Sequence, residues 1–243
     1  MSRNSFVEWN YLNIARGLVP GASVVHKFGA NFDCDNGTET IWTAGGIYPW
    51  ASIAGAVPLD VISSTDADTG EQVAIEGLDA QYEPLREVVT LTDDGAGTPT
   101  NTTTINPFIR VFRMYGVSNG GVAGTVNAKI AGTSTILAQI AAGRGQTLMG
   151  VYTIPAGKTG YIVCGDSSIS KGGDGQITMM ARIFGEGGFR VAHIGELYEN
   201  SYRYDFPVPL KIPEKSDIDI RFTTVNNNFQ VTCAFDIILV DGA

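Results

Sequence analysis

Charge is scarce in this sequence: 17% of its 243 residues are Asp, Glu, Lys or Arg, against about 25% in an average soluble domain. Basic residues are the scarcer kind, 16 against 25 acidic, for a net charge of −9. That excludes nucleic acid as the main partner, because counterion release needs clustered Lys and Arg. Cysteine is rare. Cys34, Cys164 and Cys233 are odd in number and lack CxxC spacing, so neither a disulfide framework nor a paired zinc site is expected. They read as free thiols of a chain that folds in a reducing cytoplasm. The two histidines, His26 and His193, stand far apart without HExxH or HxH context. No apolar run approaches the ~18 residues that a membrane span requires. The opening stretch MSRNSFVEWNYLNIARG lacks the apolar core of a secretion signal. A phosphate loop and a dinucleotide fingerprint are both missing. The expectation is therefore a protein with no catalytic residue, no cofactor, no metal and no membrane partner.

Glycine, by contrast, is abundant, at 30 residues, and it falls between stretches of period-two alternation. The last stretch is the clearest. Phe229, Val231, Cys233, Phe235, Ile237 and Leu239 share one face, with Gln230, Thr232, Ala234 and Asp236 on the other. Just before it Ile218, Ile220 and Phe222 alternate with Asp217, Asp219 and Arg221. Asn226-Asn227-Asn228 between them reads as a hairpin turn, since Asn tolerates the left-handed conformation. Further strands are expected over 72–78, 86–92, 108–117, 147–154, 160–168, 176–183 and 189–198. Only Ser134–Gly143 (STILAQIAAG) reads as helical, with a Ser/Thr cap, an apolar stretch and a glycine stop. Many short strands with glycine-rich turns indicate an all-β fold, expected as a jelly-roll-like antiparallel sandwich with one short helix.

Residues 1–58 differ from this pattern. They hold all three tryptophans and alternate weakly, and they read as an extended N-terminal arm ahead of a β body at 59–243. Phe6, Trp9, Tyr11, Trp42, Tyr48 and Trp50 are its candidate anchors. In the body, strand 108–115 is apolar on both faces, yet each face carries an arginine, Arg110 or Arg113. Such a strand needs cover on both sides, which points to the arm or a neighbouring subunit and hence to a homo-oligomer. Tyr198, Tyr202, Arg203 and Tyr204 complete the candidate contact set, since Tyr and Arg are enriched at interfaces. His193 falls in step with Phe189 and Val191 and reads as a packed or interface histidine. Two D-x-D loops, at 33–37 and 66–71, read as polar turns. Neither continues to the bidentate glutamate of a calcium loop.

Several segments together resemble a known group. They are VVHKFGANFDCDNGTETIWTAGGIYPW (Val24–Trp50), VAIEGLDAQYEPLREVVTL (Val73–Leu91), FIRVFRMYGV (Phe108–Val117) and LAQIAAGRGQTLMGVYTIPAGKTGYI (Leu137–Ile162). PLKIPEKSDIDIRF (Pro209–Phe222) follows more loosely. In this order they are similar to virion structural proteins from tailed phages of aquatic bacteria, cyanophages included. The resemblance implies a location on the phage particle, reached after folding in the host cytoplasm, and no enzymatic motif. Within that class the expectation is a capsid decoration or cement protein on the head surface. It would bind the major capsid protein and bridge its subunits, as a homo-oligomer taken to be a trimer. The alternative is a tail or head appendage that binds host-surface carbohydrate.

Overall fold

The computed structural model describes residues 11–118, 121–170, 172–198 and 200–242. Eighteen strands follow one another: β1 (Ala22–Cys34), β2 (Gly37–Thr40), β3 (Leu59–Ser63), β4 (Gln72–Leu78), β5 (Pro84–Thr90) and β6 (Thr92–Asp93). Then come β7 (Pro99–Thr100), β8 (Thr102–Thr103), β9 (Arg110–Gly116), β10 (Val126–Ile130), β11 (Ile136–Ile140) and β12 (Val151–Thr153). The chain closes with β13 (Lys158–Ile169), β14 (Asp174–Arg182), β15 (Arg190–Tyr198), β16 (Ser201–Ile212), β17 (Asp217–Thr224) and β18 (Phe229–Asp241). The strand ladders are antiparallel. The fold is all-β, as the alternation implied. Among the described residues an α-helical turn lies at 11–15, with 3-10 turns at Trp50–Ser52 and Asp66–Asp68.

Two bodies share the chain. In the first, a sheet ordered β1-β18-β13-β16 faces a sheet ordered β12-β17-β14-β15, with β2 pairing the far half of β17. Their inward residues meet in one core: Ile162, Ile177, Met179, Ile218, Ile220, Phe222, Val231, Cys233, Phe235 and Ile237 all belong to it. The second body is inserted between β2 and β12. Sheets ordered β11-β10-β3-β8 and β5-β4-β9 enclose a separate core, and β6 and β7 form a two-stranded ribbon. At the neck between the bodies the outgoing and returning chains run side by side, bridged at Trp42 and Met149. Gly150 donates to the Ile41 carbonyl at 2.8 Å, and Ile41 donates to Ile220 at 2.8 Å. This crossing requires bare backbone. A Cβ on Gly29 would stand 2.3 Å from the Ile41 oxygen and 2.4 Å from the Gly150 nitrogen.

Three expectations are corrected here. Residues 134–143 are not helical: Ile136–Ile140 form β11, paired with β10. Leu137, Ala138 and Ile140 are buried, and five apolar-rich residues gain more from a ladder than from a nucleus that costs several dihedrals per bond. The segments 217–222 and 229–239 do not form a hairpin. β17 and β18 lie in opposite sheets, and the turn carrying Asn228 at φ 65° arches across the core. Period two fixes which face is apolar, and it is silent on whether the two apolar faces lie side by side or face to face.

Third, the arm expected over residues 1–58 is not one where it is described, from residue 11 to 58. β1 is a 13-residue strand of the first body, paired with β18 along Ala22–Asn31. Trp42, Tyr48 and Trp50 are 4%, 1% and 6% exposed inside the second core. An aromatic there contributes roughly 1.5–3 kcal/mol to the stability of its own chain, so these three anchor no other subunit. Tyr11 lies in the helical turn, where burial foremost, with nearby Cys164, raises its phenol pKa. Phe6 and Trp9 lie outside the described residues.

Candidate functional site

The alternation in β17 places Asp217 and Asp219 opposite the core-facing Ile218 and Ile220, a face that sequence alone assigns to solvent. The second body covers it, and both carboxylates are buried, with side chains 3% and 0% exposed. Arg110 of β9 reaches across to make a bidentate pair, with Nε 2.7 Å from Asp217 Oδ1 and Nη2 3.1 Å from Oδ2. Arg182 of β14 donates to Oδ2 at 2.9 and 2.5 Å. Thr153 donates its hydroxyl to Oδ1 at 2.6 Å. Asp219 accepts from the Thr40 hydroxyl, the Trp50 indole and Arg221 at 2.8–2.9 Å. Burial opposes the charge on Arg110, yet hydrogen bonding and Coulomb attraction to Asp217 outweigh it and raise its pKa. Buried charges persist only when paired in this way.

Aromatic rings interleave with these cations. Arg110 lies over Trp50 at 5.4 Å and Tyr82 at 5.7 Å. Arg182 lies over Trp50 at 5.4 Å and Phe189 at 4.9 Å, and Arg221 over Phe189 at 5.0 Å. The result is an arginine–aromatic stack that fastens the two bodies together. At its rim opens a cleft of about 220 Å³, lined by Ile53, Arg110, Arg182, Phe184, Lys215 and Asp217 together with the glycine loop after β14. A second cross-link is Lys27 of β1, 8% exposed, whose ammonium donates to the Phe112 carbonyl of β9 at 2.5 Å. Burial, reinforced by Arg113, lowers its pKa to about 7.

Strand parity divides the residues expected at an interface. Arg110 is corrected outright: it is a buried intramolecular partner of Asp217, and the cover that strand 108–115 needed comes from the first body of the same chain. Phe112 packs against both cores. Arg113 is half-exposed, pairing with Glu76 at 3.7 Å and lying over Tyr115 at 4.6 Å. Tyr204 is buried and Tyr202 half-buried. Both gather round His193, with ring centroids 5.9 Å (Tyr202) and 4.6 Å (Tyr204) away, and Phe206 closes the cluster at 5.3 Å. His193 is thus packed, and burial lowers its pKa. Arg203 points outward to Asp205 at 3.3 Å, and Tyr198 is 77% exposed.

One constellation has the composition of a nucleophilic site. On the first sheet His26, Asp236 and Cys164 sit on adjacent strands, with Asp236 in the middle. His26 Nδ1 is 2.5 Å from Oδ1, and Cys164 donates to Oδ2 at 3.4 Å. Burial, and then Asp236, push the Cys164 thiol up to about 11. A nucleophile needs the thiolate and a base against it. Here the carboxylate takes the histidine's place beside the sulfur. Among the described residues no group of three His, Cys, Asp or Glu is arranged to hold a metal ion. Nor is any helix there long and apolar enough to cross a membrane.

No protein-family model matches the chain, and no curated protein matches it. Among solved structures, that of infectious bursal disease virus Gt strain contains a chain similar over 95% of this chain and 82% of its own. The identity is 10% and the TM-score 0.20. At that score the likeness carries no argument about fold or function.

Sequence reasoning missed Asp217, Asp219, Arg182, Arg221 and Lys215. The available signal was two aspartates spaced for one strand face beside two fully apolar neighbours, in a chain with so few charges.

Proposed function

We propose that the chain is a structural protein of a tailed-phage virion, a decoration or cement protein that binds the head surface and bridges capsid subunits. The observation that carries this reading is the strand order of the first body. Taken in chain order, its eight principal strands are β1 and β12 to β18. One sheet then runs first, eighth, third, sixth, and the other second, seventh, fourth, fifth. That order supports a reading as two interleaved Greek keys, a jelly-roll sandwich, an architecture that recurs in viral capsid proteins. A ring of propeller blades is disfavoured, because blades are meanders of consecutive strands and these neighbours are far apart in sequence. Jelly rolls also serve as lectins and cupins, and fold alone does not assign function. The resemblance of Val24–Ile162 to phage virion proteins favours the virion role among them.

With the tryptophans buried, contact with the capsid and with other copies falls to the open strand edges. Among the described residues β15 pairs only with β14, and β16 only with β13. Val191, Ile194, Tyr198 and Val208 are exposed along them, at 58%, 48%, 77% and 83%. Unpaired edges with apolar side chains favour association. A homo-oligomer, taken as a trimer, follows from this reading. The net charge of −9 suits a surface facing away from packaged DNA. Sedimentation with purified heads and tails tests the role: the protein is expected in the head pellet. Recovery with tails alone, or with neither, overturns it.

A further inference from the structure

We propose that the cleft at the rim of the arginine–aromatic stack is an oxyanion-binding site, which takes a carboxylate or phosphate group carried by a small polar ligand. The inference is independent of the virion role.

Charge is the first argument. The chain as a whole is strongly acidic, yet this cleft gathers Arg110, Arg182 and Lys215 against a single carboxylate, Asp217. Asp217 is already saturated: its two oxygens accept from Arg110, Arg182 and Thr153. Nothing is left on it for Lys215. The neighbouring acids are also engaged, Glu186 with Arg190 at 2.7 Å and Glu214 with the Gly157 amide at 2.7 Å. Lys215 has no salt bridge among the described residues, and its ammonium rests 5.5 Å from the centroid of the Phe184 ring. A cation held over a ring at a cleft mouth, beside two guanidiniums, focuses a positive potential that an incoming anion completes.

Shape is the second. The far wall is the loop after β14, where Gly185 and Gly187 take φ of 82° and 88° and leave open space within 4 Å of any added Cβ. Lys215 itself holds a left-handed φ of 58°, which costs a non-glycine residue energy and places its side chain at the cleft. Phe184, 55% exposed, packs edge-on against Tyr82 at 5.6 Å and offers an apolar rim. A volume of about 220 Å³ admits an oxyanion with one small ring or chain, and excludes a folded partner.

Titration calorimetry of the whole chain at constant ionic strength tests this with sodium phosphate, sodium glucuronate and, as neutral control, glucose. Saturable binding of at least one anion is expected at roughly millimolar concentrations, with none for glucose. The arm that saturates identifies phosphate or carboxylate as the group taken. Lys215→Met, checked for an unchanged melting temperature, is expected to weaken binding about five-fold or more. Gly187→Val, which fills the wall, serves as a second variant and is expected to abolish it. No saturation by either anion up to about 10 mM, equal binding of glucose, or full affinity in both folded variants overturns the proposal.

Discussion

The two bodies solve the same packing problem with different strands. In the first, β1, β13, β16 and β18 run 12 or 13 residues, and each sheet buries one principal face. In the inserted body no strand exceeds seven residues, and Trp42, Tyr48 and Trp50 fill space that longer strands would have filled. The first body is therefore regular and the second irregular, and the charged stack at Asp217 and Asp219 joins them together with Lys27 and Phe112. The difference shows where a buried ion pair belongs: between two separately built cores, where register matters, and not inside either.

The strongest way to break that comparison is to delete residues 1–55. An arm would leave a folded body behind. Here the deletion removes β1 from one core and Trp42, Tyr48 and Trp50 from the other, so no cooperative unfolding transition is expected by calorimetry. A sharp transition in the truncated chain contradicts the shared architecture.

Smaller in effect is Asp217→Ala, which leaves the Arg110 guanidinium buried without its partner. Losing one member of a buried pair costs about 3–5 kcal/mol, read as a lower urea midpoint. Separation into two transitions would sharpen the picture of two bodies held by one stack. Asp205→Ala, which breaks an exposed pair with Arg203, is expected to change stability by less than about 1 kcal/mol. Equal losses in the two variants would contradict the assignment.

A different kind of effect is a slope. Lys27 titrates near 7 in the folded chain, against an ordinary value of 10.5. Between those values the unfolded chain holds more protons, so this lysine makes stability rise with pH from about 7 to 10.5. Below pH 7 it is charged in both states, and its full burial penalty remains. Lys27→Met is expected to raise stability below pH 7 and to flatten that rise. A slope unchanged by the substitution would show that Lys27 is not buried as a cation at the junction.

Legibility in the sequence follows the same division. The stretches 160–168 and 229–239 alternate because one face is drier than the other, and they are readable. Strand 108–115 announced cover on both faces. Its source stayed hidden, because sequence does not distinguish a neighbouring subunit from a second body of the same chain. Trp42, Tyr48 and Trp50 looked like anchors because weak alternation resembles an arm, whereas a core filled from loops has no period. Asp217 and Asp219 looked solvated for a related reason: alternation marks a face as polar without showing what lies over it. The stretch 202–204 was read as one contact, and strand parity sends Arg203 outward and its tyrosines in.

The most direct test of the account is a density map of the intact phage particle. The account predicts this chain on the outside of the head, as two-lobed density whose long-strand body touches neighbouring capsid subunits through the β15 and β16 edges. Density confined to the tail, or contacts made through the Trp42–Trp50 region, would contradict it.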